Sequence, residues 1–111
     1  MTLNYQQTAF PEEERSLAAT SFDGTDQDIG SPIANTPVII IFDNQSDVSV
    51  PLYVEGVLFK TFEAGDVFIL DLRANHGIAG NFSFKLGTQF STNASAGTSG
   101  SMKISLLYAR T

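Results

Sequence analysis

The residue types that most often carry catalysis are scarce in this chain, and their spacing assembles no reaction centre. The single histidine, His76, lies in the polar loop Arg73-Ala74-Asn75-His76-Gly77. An imidazole acting as general base needs a nucleophile beside it and a group that orients its ring. No neighbouring motif supplies that pair. Asp66 and Asp71 bracket one apolar strand, residues 67–72. Their odd separation sets them on opposite faces of that strand, which is the wrong placement for the acid and base of a glycosidase.

Cation chemistry fares little better. Asp23-Gly24-Thr25-Asp26-Gln27-Asp28 gathers three carboxylates in one loop, and hard cations such as calcium accept oxygens of this kind. Counted from Asp26, however, a helix-loop-helix calcium pattern meets Gly30 at position five and Pro37 at position twelve, where a bidentate Glu belongs. Gly97-Thr98-Ser99-Gly100 has the glycines of a phosphate loop without its Lys or the helix that must follow. Asn-x-Ser sequons at Asn44, Asn81 and Asn93 matter only in a secretory pathway. The residues predict no catalytic site, no cofactor and no metal centre.

Composition narrows the class. A chain of 111 residues with 42% hydrophobic residues and nine Phe can fill one core and one domain. With no Cys, the fold must hold by packing alone. Twelve acidic against six basic residues give a net charge of −6, the wrong sign for a nucleic-acid or anionic-membrane partner. The N-terminus lacks the basic start and apolar stretch of a signal peptide, and the longest clean apolar run, residues 38–42, is far short of the ~20 needed to span a bilayer. The expectation is a soluble protein used without processing, with neither nucleic acid nor membrane among its partners.

The elements that must position any site fall into two regions. Residues 1–22 are mostly polar, with Leu3, Tyr5, Phe10, Leu17 and Phe22 recurring at no sustained period, and read as an N-terminal arm. Within it, Pro11-Glu12-Glu13-Glu14 suits the first turn of a helix. Residues 11–20 suit a short strand equally well, because they offer little to bury on a helical face. Residues 23–111 form the domain proper, acidic loops first and then, from Pro37, apolar residues at period two.

Strands are predicted over residues 38–42, 48–54, 57–62, 67–72, 81–86, 89–92 and 101–109. Glu55-Gly56 makes a two-residue hairpin, and Pro51 requires an edge or a bulge. The last strand, apolar on both faces near its end, belongs in a covered central place. The fold class is all-β: a single antiparallel β-sandwich or jelly-roll-like domain with an extended N-terminal arm. The hairpin carries Tyr53, Phe59 and Phe62 on what reads as both faces. That is explained either by a second layer together with the arm, or by a subunit interface.

Taken in order, several short motifs resemble a group of small virion proteins of tailed bacteriophages, of the decoration or auxiliary type. They are Arg15-Ser16-Leu17, Ile29-Gly30-Ser31-Pro32, Ile39-Ile40-Ile41-Phe42-Asp43-Asn44, Val54-Glu55-Gly56, Ala64-Gly65-Asp66, Ile69-Leu70-Asp71-Leu72, Leu86-Gly87-Thr88-Gln89-Phe90 and Ser99-Gly100-Ser101-Met102. Asn75 and the closing Leu107-Tyr108-Ala109-Arg110 are similar too, so the likeness runs over roughly residues 15–110. It implies a β-sandwich without catalysis that resides in the virion after assembly in the bacterial cytoplasm. Its place would be that of a capsid decoration or cement protein on the major capsid lattice, or alternatively of a neck or tail component. The implied partners are the major capsid protein or other virion proteins and further copies of the chain, a symmetric trimer being one arrangement. On such a particle the arm is expected to order on binding, with Leu3, Tyr5, Phe10 and Leu17 as anchors. A reading from another class is a carbohydrate-binding host-recognition module, with Tyr53 or Tyr108 in place of the absent Trp.

Overall fold

The computed structural model describes residues 9–72 and 86–109. They form two four-stranded antiparallel sheets packed face to face, the β-sandwich expected from the alternation. The strands are β1 (Ala9–Ala18), β2 (Gln27–Asp28), β3 (Pro37–Asn44), β4 (Val50–Val54), β5 (Val57–Phe62), β6 (Val67–Asp71), β7 (Phe90–Thr92) and β8 (Ser101–Ala109). The first sheet runs β1-β8-β3-β6 and the second β2-β7-β4-β5. A single 3-10 turn, Ala19–Ser21, carries the chain out of β1.

Alternation supplies the core. From the first sheet, Ile40, Phe42, Leu70, Met102, Ile104 and Leu106 point inward; Val50, Leu52, Phe62 and Phe90 meet them from the second. Phe42 joins the layers, its ring centroid 5.6 Å from Phe62 and 5.9 Å from Phe90 in the opposite sheet. Offset and edge-on contacts of this kind add about 0.5–1.5 kcal/mol per pair beyond the area they bury.

The N-terminal third departs from the expectation of an arm over residues 1–22. From Ala9 onward it is strand β1, paired with β8 from Ala9↔Ala109 to Ala18↔Ser101. Of the helix and strand alternatives for residues 11–20, the structure has the strand. The register shifts between Ala9 and Glu12, where Pro11 has no N–H to offer the ladder. The apolar period was weak because β1 lies at a sheet edge, where a polar inner face is tolerated. Opposite Leu106, Ile104 and Met102 it presents Glu13, Arg15 and Leu17. Residues 9–18 thus belong to the first sheet, and residues 1–8 lie outside the described residues.

Two local features set the hairpin β4–β5. Glu55 and Gly56 have φ +53° and +81°, the paired left-handed residues of a primed turn, which only Gly adopts without steric cost. Glu55 is held there by Gln89: its N–H donates to the Gln89 carbonyl at 3.0 Å, and its carboxylate accepts from the Gln89 N–H at 2.7 Å. Further along, Leu52 pairs with Lys60 and Tyr53 with Leu58, so Phe59 is an extra residue, a β-bulge.

Pro51 precedes this bulge. Although β4 is an interior strand, Pro51 lies beyond the last pairing with β7, which covers Leu52 to Val54. Thr92 Oγ1 donates to the Pro51 carbonyl at 2.7 Å. β8 is central, between β1 and β3, as its two apolar faces require. The strand expected over residues 81–86 falls, apart from Leu86, outside the described residues, as does His76.

Candidate functional site

The residues singled out from the sequence fall in different places. Leu3 and Tyr5 lie outside the described residues, and Phe10 falls on β1 beside its irregular start. Leu17 is partly buried, packed against the core opposite Met102. Among the hairpin aromatics, Phe62 is fully buried and Phe59 is half-buried against the core. Phe59 lies 5.5 Å from Phe42 and 6.3 Å from Phe68.

The Phe59 bulge is the physical reason that Phe59 and Phe62 share the inner face. Phe59 and Phe62 are three apart and would take opposite faces of a regular strand. The extra residue turns Phe59 inward, and Lys60 follows it to the sandwich margin. There its Nζ lies 5.5 Å from the Phe62 centroid and 5.9 Å from that of Phe68. Tyr53 alone of the three stays on the outer face, half-buried, with its hydroxyl 3.4 Å from Asn93 Nδ2.

The ionisable groups that do meet are structural ties. At the β1 edge, Arg15 is nearly buried. Its Nε donates to the Ser31 carbonyl at 2.8 Å, and its Nη2 to the Pro32 carbonyl at 3.2 Å and to Glu13 Oε1 at 2.9 Å. Tyr108 donates to the same Glu13 oxygen at 2.6 Å. The Tyr108 hydrogen bond, with Arg15 adding to it, holds the Glu13 carboxyl below its ordinary range. Burial, reinforced by Glu13, pushes the Tyr108 hydroxyl up. The two affinities for protons move apart and away from neutrality, the reverse of what acid–base exchange at pH 7 requires.

A second tie locks two loops. Asp47 Oδ1 accepts from the Thr98 N–H at 3.0 Å and the Ser99 N–H at 3.4 Å, and the Thr98 hydroxyl donates to Oδ2. These bonds, Thr98 first, lower the Asp47 pKa. Asp23 likewise accepts from Thr25 within its own turn. Among the described residues, no three His, Cys, Asp or Glu side chains gather around a common point that would hold a metal ion. The Asn44 sequon is closed, because that side chain is fully buried and its Nδ2 donates to the Val48 and Phe62 carbonyls.

An extended apolar surface lies on the outer face of the first sheet. Pairing aligns Leu107, Ile39 and Asp71 in one row, Glu14, Ser105, Ile41 and Ile69 in the next, and Ser16, Lys103, Asp43 and Val67 in a third. Val67 is 58% and Ile69 61% exposed, and Ile39, Ile41 and Leu107 are partly so. The signal for this face was in the sequence as two runs, residues 38–42 and 67–70, in which apolar residues do not alternate with polar ones. Strands apolar on both sides have a second surface to cover. Val57 and Leu58 at the hairpin tip, and Leu86, are the other large apolar side chains that stand exposed. No protein-family model, curated protein or solved structure matches the chain.

Proposed function

We propose that this chain is a non-enzymatic structural protein of a bacteriophage particle, a decoration or cement subunit that docks on the major capsid lattice. The observation that carries the reading is the apolar outer face of β3, β6 and β8, where Val67 and Ile69 stand more than half exposed beside Ile41. A contiguous apolar face of this kind marks a protein that works by being covered. The motifs from Arg15 to Tyr108 that resemble small virion proteins give the setting. The physics suits it: a fold without disulfides forms in bacterial cytoplasm, and a charge of −6 keeps free copies apart until they dock.

Mass spectrometry of purified particles, with the copy number per particle, tests the reading. Hundreds of copies are expected for a shell position, and about a dozen or fewer would move the chain to the neck or tail, where ring symmetry sets the count. Absence from the particle would overturn the proposal.

A further inference from the structure

An apolar face can be covered by a second copy or by a different protein, and the charges around this one discriminate. Among the described residues, Glu14 and Asp43 share the face with one cation, Lys103, whose Nζ already lies 3.8 Å from Glu14 Oε2. A second copy would bring the same excess of carboxylate against it, and the net charge of −6 on each chain opposes that approach from further away. Like charges brought together across an interface repel, and opposite ones steer the encounter. Among the described residues the outer face of the second sheet carries a smaller apolar patch, Leu58 beside a partly covered Tyr53, set among Asp28, Ser91 and Thr61.

We propose that the outer face of β3, β6 and β8 is the docking face, and that its occupant is a different protein presenting an apolar ridge bordered by Lys or Arg. Identifying that occupant as a shell subunit rests on the particle reading above; the face and the chemistry of its occupant do not. Ile41, Ile69 and Val67 supply the buried centre, and Asp43 and Glu14 meet the partner's cations at the margin.

The test places the photo-reactive amino acid benzoylphenylalanine at Ile69 and, separately, at Thr61 on the opposite sheet. Each full-length protein is made in the cell from which the sequence comes, irradiated, and its cross-linked peptides are mapped by mass spectrometry. Position 69 is expected to join a peptide of another protein in which apolar residues neighbour Lys or Arg, and position 61 none. Val67→Lys is expected to lower the yield from position 69 about tenfold or more, through lost burial and repulsion. Because Val67 is exposed, that variant should melt with the parent. Cross-links to a second copy of this chain, cross-links to a peptide without basic residues, capture from position 61 in place of 69, or no capture from either would each overturn the proposal. Capture of a basic-rimmed protein that is absent from phage particles would leave the face standing and sink the particle reading, so the two failures are distinct.

Discussion

Replacing Gly100 by Ala should be among the most damaging single-methyl changes available to this protein. Gly100 has φ +79°, and a Cβ built there would stand 1.9 Å from the Gln45 carbonyl oxygen and 2.8 Å from its carbon. The obstacle is backbone, which cannot swing aside as a side chain would, so the two segments must part by about 1 Å. Parting them breaks the bond from Gln45 N–H to the Ser101 carbonyl and that from Ala19 N–H to the Gly100 carbonyl, both 2.9 Å. The left-handed conformation costs Ala roughly 1–2 kcal/mol, and the two hydrogen bonds about 1 kcal/mol each. The expected loss is about 3–4 kcal/mol, a large share of the ~5–15 kcal/mol that holds a domain together. At about 4–8 °C per kcal/mol for a domain near this size, the melting temperature should fall by roughly 12–30 °C.

Gly65→Ala is the control. Gly65 has φ +88° but nothing within 4 Å of its Cβ position, so only the conformational cost of about 1–2 kcal/mol applies. Thermal melts and urea titrations of the two variants separate strain from collision. If both lose the same stability, the close approach of Gly100 to Gln45 carries no weight, and the packing of the 97–100 loop on the 44–48 turn is misread.

Three further outcomes are expected. Phe42→Ala, which removes the ring between the sheets, should cost about 3–5 kcal/mol in urea unfolding, whereas Tyr53→Ala on the outer face should cost under about 1.5 kcal/mol; equal losses would contradict the inner place of Phe42 and the outer place of Tyr53. Glu13, Asp23 and Asp47 all have lowered pKa values in the folded chain, so the stability they contribute is present above the unfolded values of 4.5 and 3.8 and is lost as pH falls below them. Melts between pH 7 and pH 2 should show that loss, and Asp47→Asn should reduce its steepness; a melting temperature independent of pH would refute the account. At the hairpin, Gly56→Val should destabilise by about 1–3 kcal/mol. Glu55→Asn should melt within a few degrees of the parent, since the better turn residue gives up the 2.7 Å bond to Gln89.

What was readable from the chain was set by local rules. Period-two alternation, Gly-containing turns and the two apolar faces of residues 101–109 each follow from steric and burial constraints on neighbouring residues, and the sandwich followed from them. β1 was obscured because its partners are about ninety positions away: Arg15 is an inner-face residue only because Ile104 lies opposite it and the Ser31 and Pro32 carbonyls receive its guanidinium. The facing of the individual hairpin aromatics was hidden for a different reason. One extra residue at Phe59 inverts the parity on which facing is judged, and nothing in Leu58-Phe59-Lys60 announces it. The outer apolar face was visible as runs without alternation, but its acidic margin emerged only when pairing set Glu14, Lys103 and Asp43 side by side.

The inward cations at the sheet margins bear on how this all-strand chain survives crowding. β1 and β5 are outermost in their sheets, and unpaired strand edges recruit strands from other molecules into growing cross-β stacks. Arg15 and Lys60 are placed where a foreign strand and its following layer would seal them away from water. The register irregularities beside Pro11 and at Phe59 bend both margins out of the flat geometry that a stack demands. β2, only two residues long, gives little purchase at the remaining margin of the second sheet. Among the described residues β6 alone has a long margin without an inward charge, with Phe68 and Leu70 facing in. Under partial denaturation, fibril nucleation should therefore begin at Val67–Asp71.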